Sequence, residues 1–370
     1  MPPAGRPYPR GVIILVGLAA GTIAAIGMSS IRSILAPVLL TLVLTICAQP
    51  VRTALERRGV PSGLATGSVV LVVFALLAGL AYTFVIAVTQ FVAMLPDYAD
   101  QFEAFAVSIG EWLTTLGVGP DEVQQIKSGF DPSAIAGFFS GLAGGVANLT
   151  AALVIVLTML ILLSADAAYV PTVLGQIGLR RPELATALTD YARSVRRYMV
   201  VTTVLGIAQG VINGVALWLL QVPAALLWAI LAFLCSYIPN IGYFIAIIPP
   251  LVFGFLVGGW PTFFAVLIVY AIVNAVVQSV IQPRVVGNAV ALSQSLTFFS
   301  VLFWAVVLGP IGAILAIPLT LLGRAVLIDA SPSARWWRPL LGDIRETRAL
   351  KEAADEQAKR ARRNAKPARP

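Results

Sequence analysis

The sequence has no histidine, two cysteines and little charge: only 11% of its 370 residues are Asp, Glu, Lys or Arg, where globular proteins carry roughly a quarter. The missing histidine removes His-based triads, His general bases and His-containing metal sites. Cys47 and Cys235 both fall inside apolar runs, are too few for a thiolate cluster and suggest no disulfide framework. With no base near Ser236, no catalytic constellation can be assembled, so the chain reads as a non-enzyme that needs no cofactor or metal. The most informative absence is local. Residues 198 to 283 contain no charged side chain, and after Arg284 none follows until Arg324. A soluble domain alternates buried and solvated faces and cannot keep so long a stretch from water. Lipid is its natural solvent.

The chain is 59% hydrophobic with a mean hydropathy of +0.91. It reads as an all-α polytopic membrane protein with about eight hydrophobic helical segments: 11–28, 34–49, 64–92, 141–163, 198–220, 224–258, 262–281 and 296–327. The first run is not followed by a small-residue cleavage site and reads as an anchor. The organisation is a cytoplasmic N-terminus (1–10), three transmembrane helices (11–92), an acidic extracytoplasmic amphipathic segment (93–140), a fourth span (141–164), a basic cytoplasmic segment (165–197), an apolar core with broken helices (198–328) and a basic cytoplasmic tail (329–370).

Loop charge carries the topology. Arg52, Arg57 and Arg58 stand against Glu56 in the first long loop, which places it inside. The stretch 97–131 has seven acidic residues and one Lys and is placed outside, with Phe102, Phe105 and Trp112 expected at the interface. Five arginines then lie between 166 and 197, with a cytoplasmic helix expected over 182–197. The tail from Ser331 has eleven Lys or Arg against five Asp or Glu. The formal charge of +8 thus sits in loops and tails and is read as topology and affinity for anionic lipid, not as a nucleic-acid site. Both termini fall inside.

Within the core, two phrases place helix breakers in the middle of apolar runs: Tyr237-Ile-Pro-Asn-Ile-Gly-Tyr-Phe-Ile-Ala-Ile-Ile-Pro and Leu308-Gly-Pro-Ile-Gly-Ala-Ile-Leu-Ala-Ile-Pro. Each has Pro, then Ile-Gly, then Ala-Ile after three residues, then Pro. The breaks centre on Pro239, Gly242 and Pro249 and on Pro310, Gly312 and Pro318. Segments 224–258 and 296–327 either cross once each or fold as re-entrant hairpins; the hairpin reading keeps Arg284, Arg324 and the tail on one side, and the hairpins then enter in inverted orientation. Irregular backbone in lipid is tolerated only where it is buried in protein or lines a cavity. The breaks are therefore candidates for a solute path. Neutral hydrogen-bonding side chains nearby could replace a solute's hydration: Gln209, Asn213, Ser236, Asn240, Asn274, Gln278 and Gln282. The simpler reading of any one of them is a contact between helices, worth about 0.6 kcal/mol. Gly206, Gly210 and Gly214, four apart, read first as a close-packing face.

These residues resemble the autoinducer-2 exporter (AI-2E) family of bacterial transporters over about 34–327. The resemblance rests on Pro37, on Pro50-Val-Arg-Thr-Ala-Leu-Glu-Arg-Arg-Gly-Val-Pro61, on Leu217-Trp-Leu-Leu-Gln-Val-Pro223, on the two breaks, on Pro249-Pro250 and on Pro283-Arg-Val-Val-Gly287. It implies an inner-membrane, multi-pass permease that exports a small polar solute such as autoinducer-2, as a homo-oligomer. Two departures stand out. Val277 and Gln278 are uncharged where many members carry an acidic residue, and Ser293-Gln294 replaces a frequent His-Pro pair. Monovalent cation/proton antiport, also implied by relatives, generally needs an intramembrane carboxylate. No Asp or Glu lies between Asp190 and Asp329, leaving Asp166, at the end of the fourth span, as the only nearby candidate. A non-transporting membrane scaffold is the remaining alternative.

The charge alternation sets a topology test. Reporter fusions near Gly59 and Pro182 should read as cytoplasmic and one near Gly119 as external; a cytoplasmic signal at Gly119 overturns the arrangement.

Overall fold

In the computed structural model, residues 10–115, 117–122, 124, 132–281, 292–341 and 351–357 are described. Every regular element among them is helical. The principal helices are α1 (Arg10–Ser30), α2 (Arg32–Arg57), α3 (Ser62–Met94), α4 (Ala99–Thr115), α5 (Pro132–Asp166), α6 (Val170–Arg180), α7 (Pro182–Leu219), α8 (Ala225–Cys235), α9 (Gly242–Ala275), α10 (Gln294–Leu308), α11 (Pro310–Ile314) and α12 (Ala316–Arg324). Among the described residues, four helices are long and apolar enough to span a bilayer, or five with the pair α5–α6, bent by 61°; α1, α8 and α10 are shorter apolar helices. The protein is an all-α polytopic membrane protein, and all eight apolar segments have helical counterparts.

Helix ends follow local chemistry. α2 stops where Gly59 takes φ +87°; the amide of Val60 returns to the carbonyl of Leu55, and Pro61 blocks continuation. Two expectations need correction. The cytoplasmic helix at 182–197 and the fifth span are one unbroken 38-residue helix, α7, because neither Gly nor Pro interrupts 183–205. Phe102 is not interfacial: it is fully buried, edge-on to Phe253 at 5.5 Å. α4 folds back onto the bundle and exchanges the interface for an aromatic contact. The side chains of Phe105 and Trp112 lie outside the described residues.

Two large apolar clusters form most of the described interior. One gathers Phe91 of α3, Phe102 of α4, Leu217 of α7, Trp228 of α8 and Phe253 and Tyr270 of α9; Phe91 meets both Trp228 (5.1 Å) and Phe253 (5.0 Å) edge-on. The other gathers Val43 of α2, Val195 and Tyr198 of α7, Tyr237, and Leu308, Leu315 and Leu319. α7 serves both clusters and is the post on which they are hung.

Gly206, Gly210 and Gly214 show why it packs so closely. A Cβ on Gly210 would lie 2.8 Å from the carbonyl oxygen of Ala229, and one on Gly214 would lie 2.7 Å from Cβ of Ala229. The stripe is a helix-contact face between α7 and α8. An apolar groove of about 500 Å³ runs along its edge, past Trp218 and Leu226.

α2 and α7 are joined by a contact that proline makes necessary. Pro50 lies inside α2 and has no amide hydrogen for the carbonyl of Ile46, four residues earlier. The guanidinium Nε of Arg196 donates to that carbonyl at 3.1 Å. Replacing Arg196 by Met should lower stability by about 1–3 kcal/mol, the usual cost of an orphaned buried acceptor. Adding Pro50→Ala restores an intrahelical amide and should recover part of the loss in thermal unfolding; a double variant no more stable than Arg196→Met would sink the account.

Candidate functional site

Residues 225–275 form three antiparallel helical arms. α8 is 11 residues long, about 16 Å, roughly half the hydrocarbon core. It ends at the first break, and the chain returns along it: Trp228 sits by Phe253, with ring centroids 5.7 Å apart, and Cys235 clusters with Ala246. A second reversal occurs within α9 at Gly259, where φ is +61° and ψ −154°. Residues 254 and 266, about 18 Å apart in a straight helix, are in contact there: a Cβ on Gly254 would be 3.2 Å from Cγ2 of Val266.

The second phrase uses the same device. Gly309, between α10 and α11, has φ +73° and ψ −155°. The return arm packs antiparallel on α10, with the indole N–H of Trp304 donating to Oγ1 of Thr320 at 3.1 Å. Both reversals need a left-handed φ that glycine adopts freely. The repeated Ile-Gly has a matching structural role. A Cβ on Gly242 would fall on the carbonyl oxygen of Cys235, and one on Gly312 on that of Trp304. In each hairpin glycine lets the returning arm lie against the backbone of the arm before it.

The bend of the first hairpin packs on the arms of the second. Ile238 and Ile241 of the first pack against Val301, Ala313 and Ala316 of the second. Tyr237 is in one apolar cluster with Leu308 and Leu315, with Ile311 and Ile314 packed against it.

Hydroxyl groups fix the first bend to α7. The phenol of Tyr198 donates to the carbonyl of Tyr237 at 3.3 Å, and the phenol of Tyr237 is 2.7 Å from Oγ1 of Thr203. Asn240 stands at the bend with φ +65°, a conformation that Asn tolerates better than most residues, and its side chain is exposed.

The other predicted residues divide. Ser236 borders the bend, but its Oγ donates to Phe233 at 2.6 Å and faces Gly206, as in a packing contact. Asn213 is 1% exposed, and neither atom of its amide has a hydrogen-bond partner among the described residues. It lies seven residues along α7 from Gly206, about 10 Å, so it does not share the bend with Asn240. Gln209 is half-buried one turn nearer. In the register that sets 254 opposite 266, Asn274 and Gln278 come level with 246 and 242, beside the first bend. Gln278 lies in a π-helical turn, Val276–Ile281, and its side chain is outside the described residues. Gln282 and the 283–287 motif lie outside them too. Of the expected breakers, Gly242, Gly312 and Pro318 are buried, Pro239 and Pro249 are half-buried and Pro310 is exposed; Pro249 does not break the chain's helix but lies inside α9, whose reversal is at Gly259.

The sequence reading missed Tyr198, Thr203 and Tyr237. The only signal was their position: Tyr198 and Thr203 on the α7 face bearing Thr202 and Gly206, and Tyr237 at the start of the break. Among the described residues no group of His, Cys, Asp and Glu could hold a metal ion. What the arrangement offers is uncharged: irregular backbone, hydroxyls and amides around the first bend and the second hairpin.

A family model described as AI-2E family transporter matches residues 12–331. The AI-2 transport protein TqsA of Escherichia coli (strain K12) is 28% identical over 319 residues, covering 86% of this chain and 92% of that protein. YhhT of the same organism, named for transport only provisionally, is 28% identical over 316 residues, 85% of this chain and 90% of its own length. A Haemophilus influenzae protein with a similarly provisional transport name is 30% identical over 348 residues, 90% of this chain and 97% of that protein.

The glycine contacts generate a stability test. Gly242→Ala and Gly312→Ala should each destabilise the protein by about 1–3 kcal/mol through overpacking, seen as a lowered unfolding temperature in detergent. Asn240→Gly should leave that temperature essentially unchanged, since glycine accepts the same φ. Wild-type stability of both alanine variants would show that the arms do not lie this close.

Proposed function

The chain belongs to the AI-2E transporter family, and from that membership we propose that it exports a small polar solute, an autoinducer-2-like signal or related metabolite, past the meeting point of the two hairpins. It is a multi-pass membrane protein of a transporter family, and that much follows from the comparisons. The proposal adds the solute class, the direction, the bacterial inner membrane, cytoplasmic termini and assembly as a homo-oligomer. TqsA is named for AI-2 transport, which supports an autoinducer-2-like solute for this chain.

One observation carries the reading: the irregular backbone of the first bend packs on the hairpin built from the second phrase, about seventy residues on, inside an uncharged core. In lipid such backbone persists only in protein or along a polar cavity, and its placement at a repeat interface is how transporters build solute sites. Asn240 and the half-buried amides Gln209 and Asn274 give neutral contacts at or near the bends, with Asn213 further along α7. The hairpins entering from opposite sides would bring the first bend and the second hairpin together near the membrane midplane. Coupling to a cation through a core carboxylate is disfavoured by the gap between Asp190 and Asp329.

The test is efflux and uptake in proteoliposomes against a panel that includes autoinducer-2, with and without a pH gradient. Transport of a neutral polar solute is expected, reduced tenfold or more in Asn240→Leu and largely retained in Asp166→Asn. No movement of any panel member by folded protein would favour a scaffold; abolished transport in folded Asp166→Asn would favour antiport.

A further inference from the structure

Away from the hairpins, a groove of about 740 Å³ lies between α2, α3 and α5. Its apolar walls are Val70, Leu71 and Phe74 of α3 facing Leu157 and Ile161 of α5; its other end has Arg52, Ser62 and Thr66. Gly63 and Gly67 also line it, and a Cβ on either would meet nothing within 4 Å. The glycines therefore keep space open, unlike those of α7, which are pressed against a neighbour.

The polar end is built for negative charge. It holds the N-terminus of α3, a 33-residue helix with no side-chain cap and no acidic residue in its first turn. Its free amides and the positive end of its dipole attract anions. Arg52, 8% exposed, is held there by the carbonyl of Ser164 at 2.7 Å and by Glu56 at 3.1 Å. Behind it, a small pocket shares Arg52 and Thr66 with the groove and contains Thr45. Thr45 is 8% exposed, and its hydroxyl has no hydrogen-bond partner among the described residues. Arg57 ends α2 and Arg58 follows it, so the sequence beside this end carries three arginines against the carboxylates of Glu56 and Asp166. Tyr169, 70% exposed, borders the mouth where interfacial aromatics sit.

We propose that this groove holds an anionic phospholipid. The phosphate rests at the start of α3 beside Arg52, and one acyl chain runs between α3 and α5. From Ser62 to Phe74 the groove wall extends about 18 Å, close to the roughly 15 Å of hydrocarbon in one leaflet. Charge complementarity selects an anionic headgroup over a zwitterionic one, and the apolar walls select a lipid over a free anion. The ligand staples α2, α3 and α5 together at the membrane surface, a role separate from the solute path.

Full-length protein in detergent, titrated with dioleoylphosphatidylglycerol or dioleoylphosphatidylcholine, provides the test, read by native mass spectrometry and thermal unfolding. Phosphatidylglycerol should stay bound and raise the unfolding temperature, with phosphatidylcholine doing neither to a similar extent. Gly67→Phe enters open space and should abolish retention with helicity and particle size unchanged. Arg57→Gln and Arg58→Gln should each weaken it about fivefold. Equal retention of both lipids, or full retention by Gly67→Phe, overturns the proposal. If Gly67→Phe does not fold, Gly63→Leu fills the same space, and undiminished retention there overturns it equally.

Discussion

In a bilayer every backbone N–H and C=O must find its partner within the protein, because lipid offers none. An unbroken helix meets this demand alone, and this chain contains 24 prolines. Each proline inside a span leaves a carbonyl to be satisfied from elsewhere. α2 shows the remedy: Pro50 strands the carbonyl of Ile46, and Arg196, 150 positions later, supplies the donor. The end of α5 shows a second version, in which Arg52 of α2 reaches the carbonyl of Ser164. Both arginines sit where a charged head can be held by backbone dipoles while its stem crosses apolar surface. The bundle is thus tied together at the places where helical self-sufficiency ends.

The core applies this rule twice with one phrase. A hairpin in lipid must turn without exposing its backbone, so its arms have to lie nearly in contact. Gly242 and Gly312 permit that contact, and Gly259 and Gly309 give two reversals of nearly identical backbone angles. The bend at 236–241 still has a carbonyl to satisfy at Tyr237, and Tyr198 supplies it. The hydroxyl pair Tyr237–Thr203 then ties the bend's side chain to α7. α7 can do this because its small-residue face lets α8 come within contact distance, which puts the bend over Tyr198 and Thr203.

Fold class was legible because lipid leaves a coarse signature: long spans without charge, bounded by loops of alternating sign. The breaks were legible because Pro and Gly act locally. What the sequence did not disclose depends on distant partners. Phe102 looks interfacial on a short amphipathic segment; only Phe253, some 150 positions away, makes it core. Arg196 reads as one more positive-inside residue until Pro50 is seen beside it in space. The glycine stripe was legible as packing, and the contacts with Ala229 bear that out. The polar side chains were harder to separate, since an amide that joins helices and one that meets a solute look alike in sequence. Ser236 proves to be bonded to its own helix, whereas Asn213 has no partner among the described residues.

That difference bears on what an uncharged core can carry. An unpaired buried polar group costs about 1–3 kcal/mol, so Asn213, whose donor and acceptor have no partner among the described residues, is costly to keep unless water or a solute reaches it. A cation or anion in this region would need a counter-charge, and none of the residues from 198 to 283 carries one. A neutral, multiply hydroxylated molecule makes a smaller demand. It needs donors and acceptors in exchange for its hydration shell, and amides and free carbonyls offer both. On the proposed reading, the missing charge is what makes the core selective: it leaves ions undersolvated while giving a polar neutral solute enough hydrogen bonds to enter and too few to be trapped.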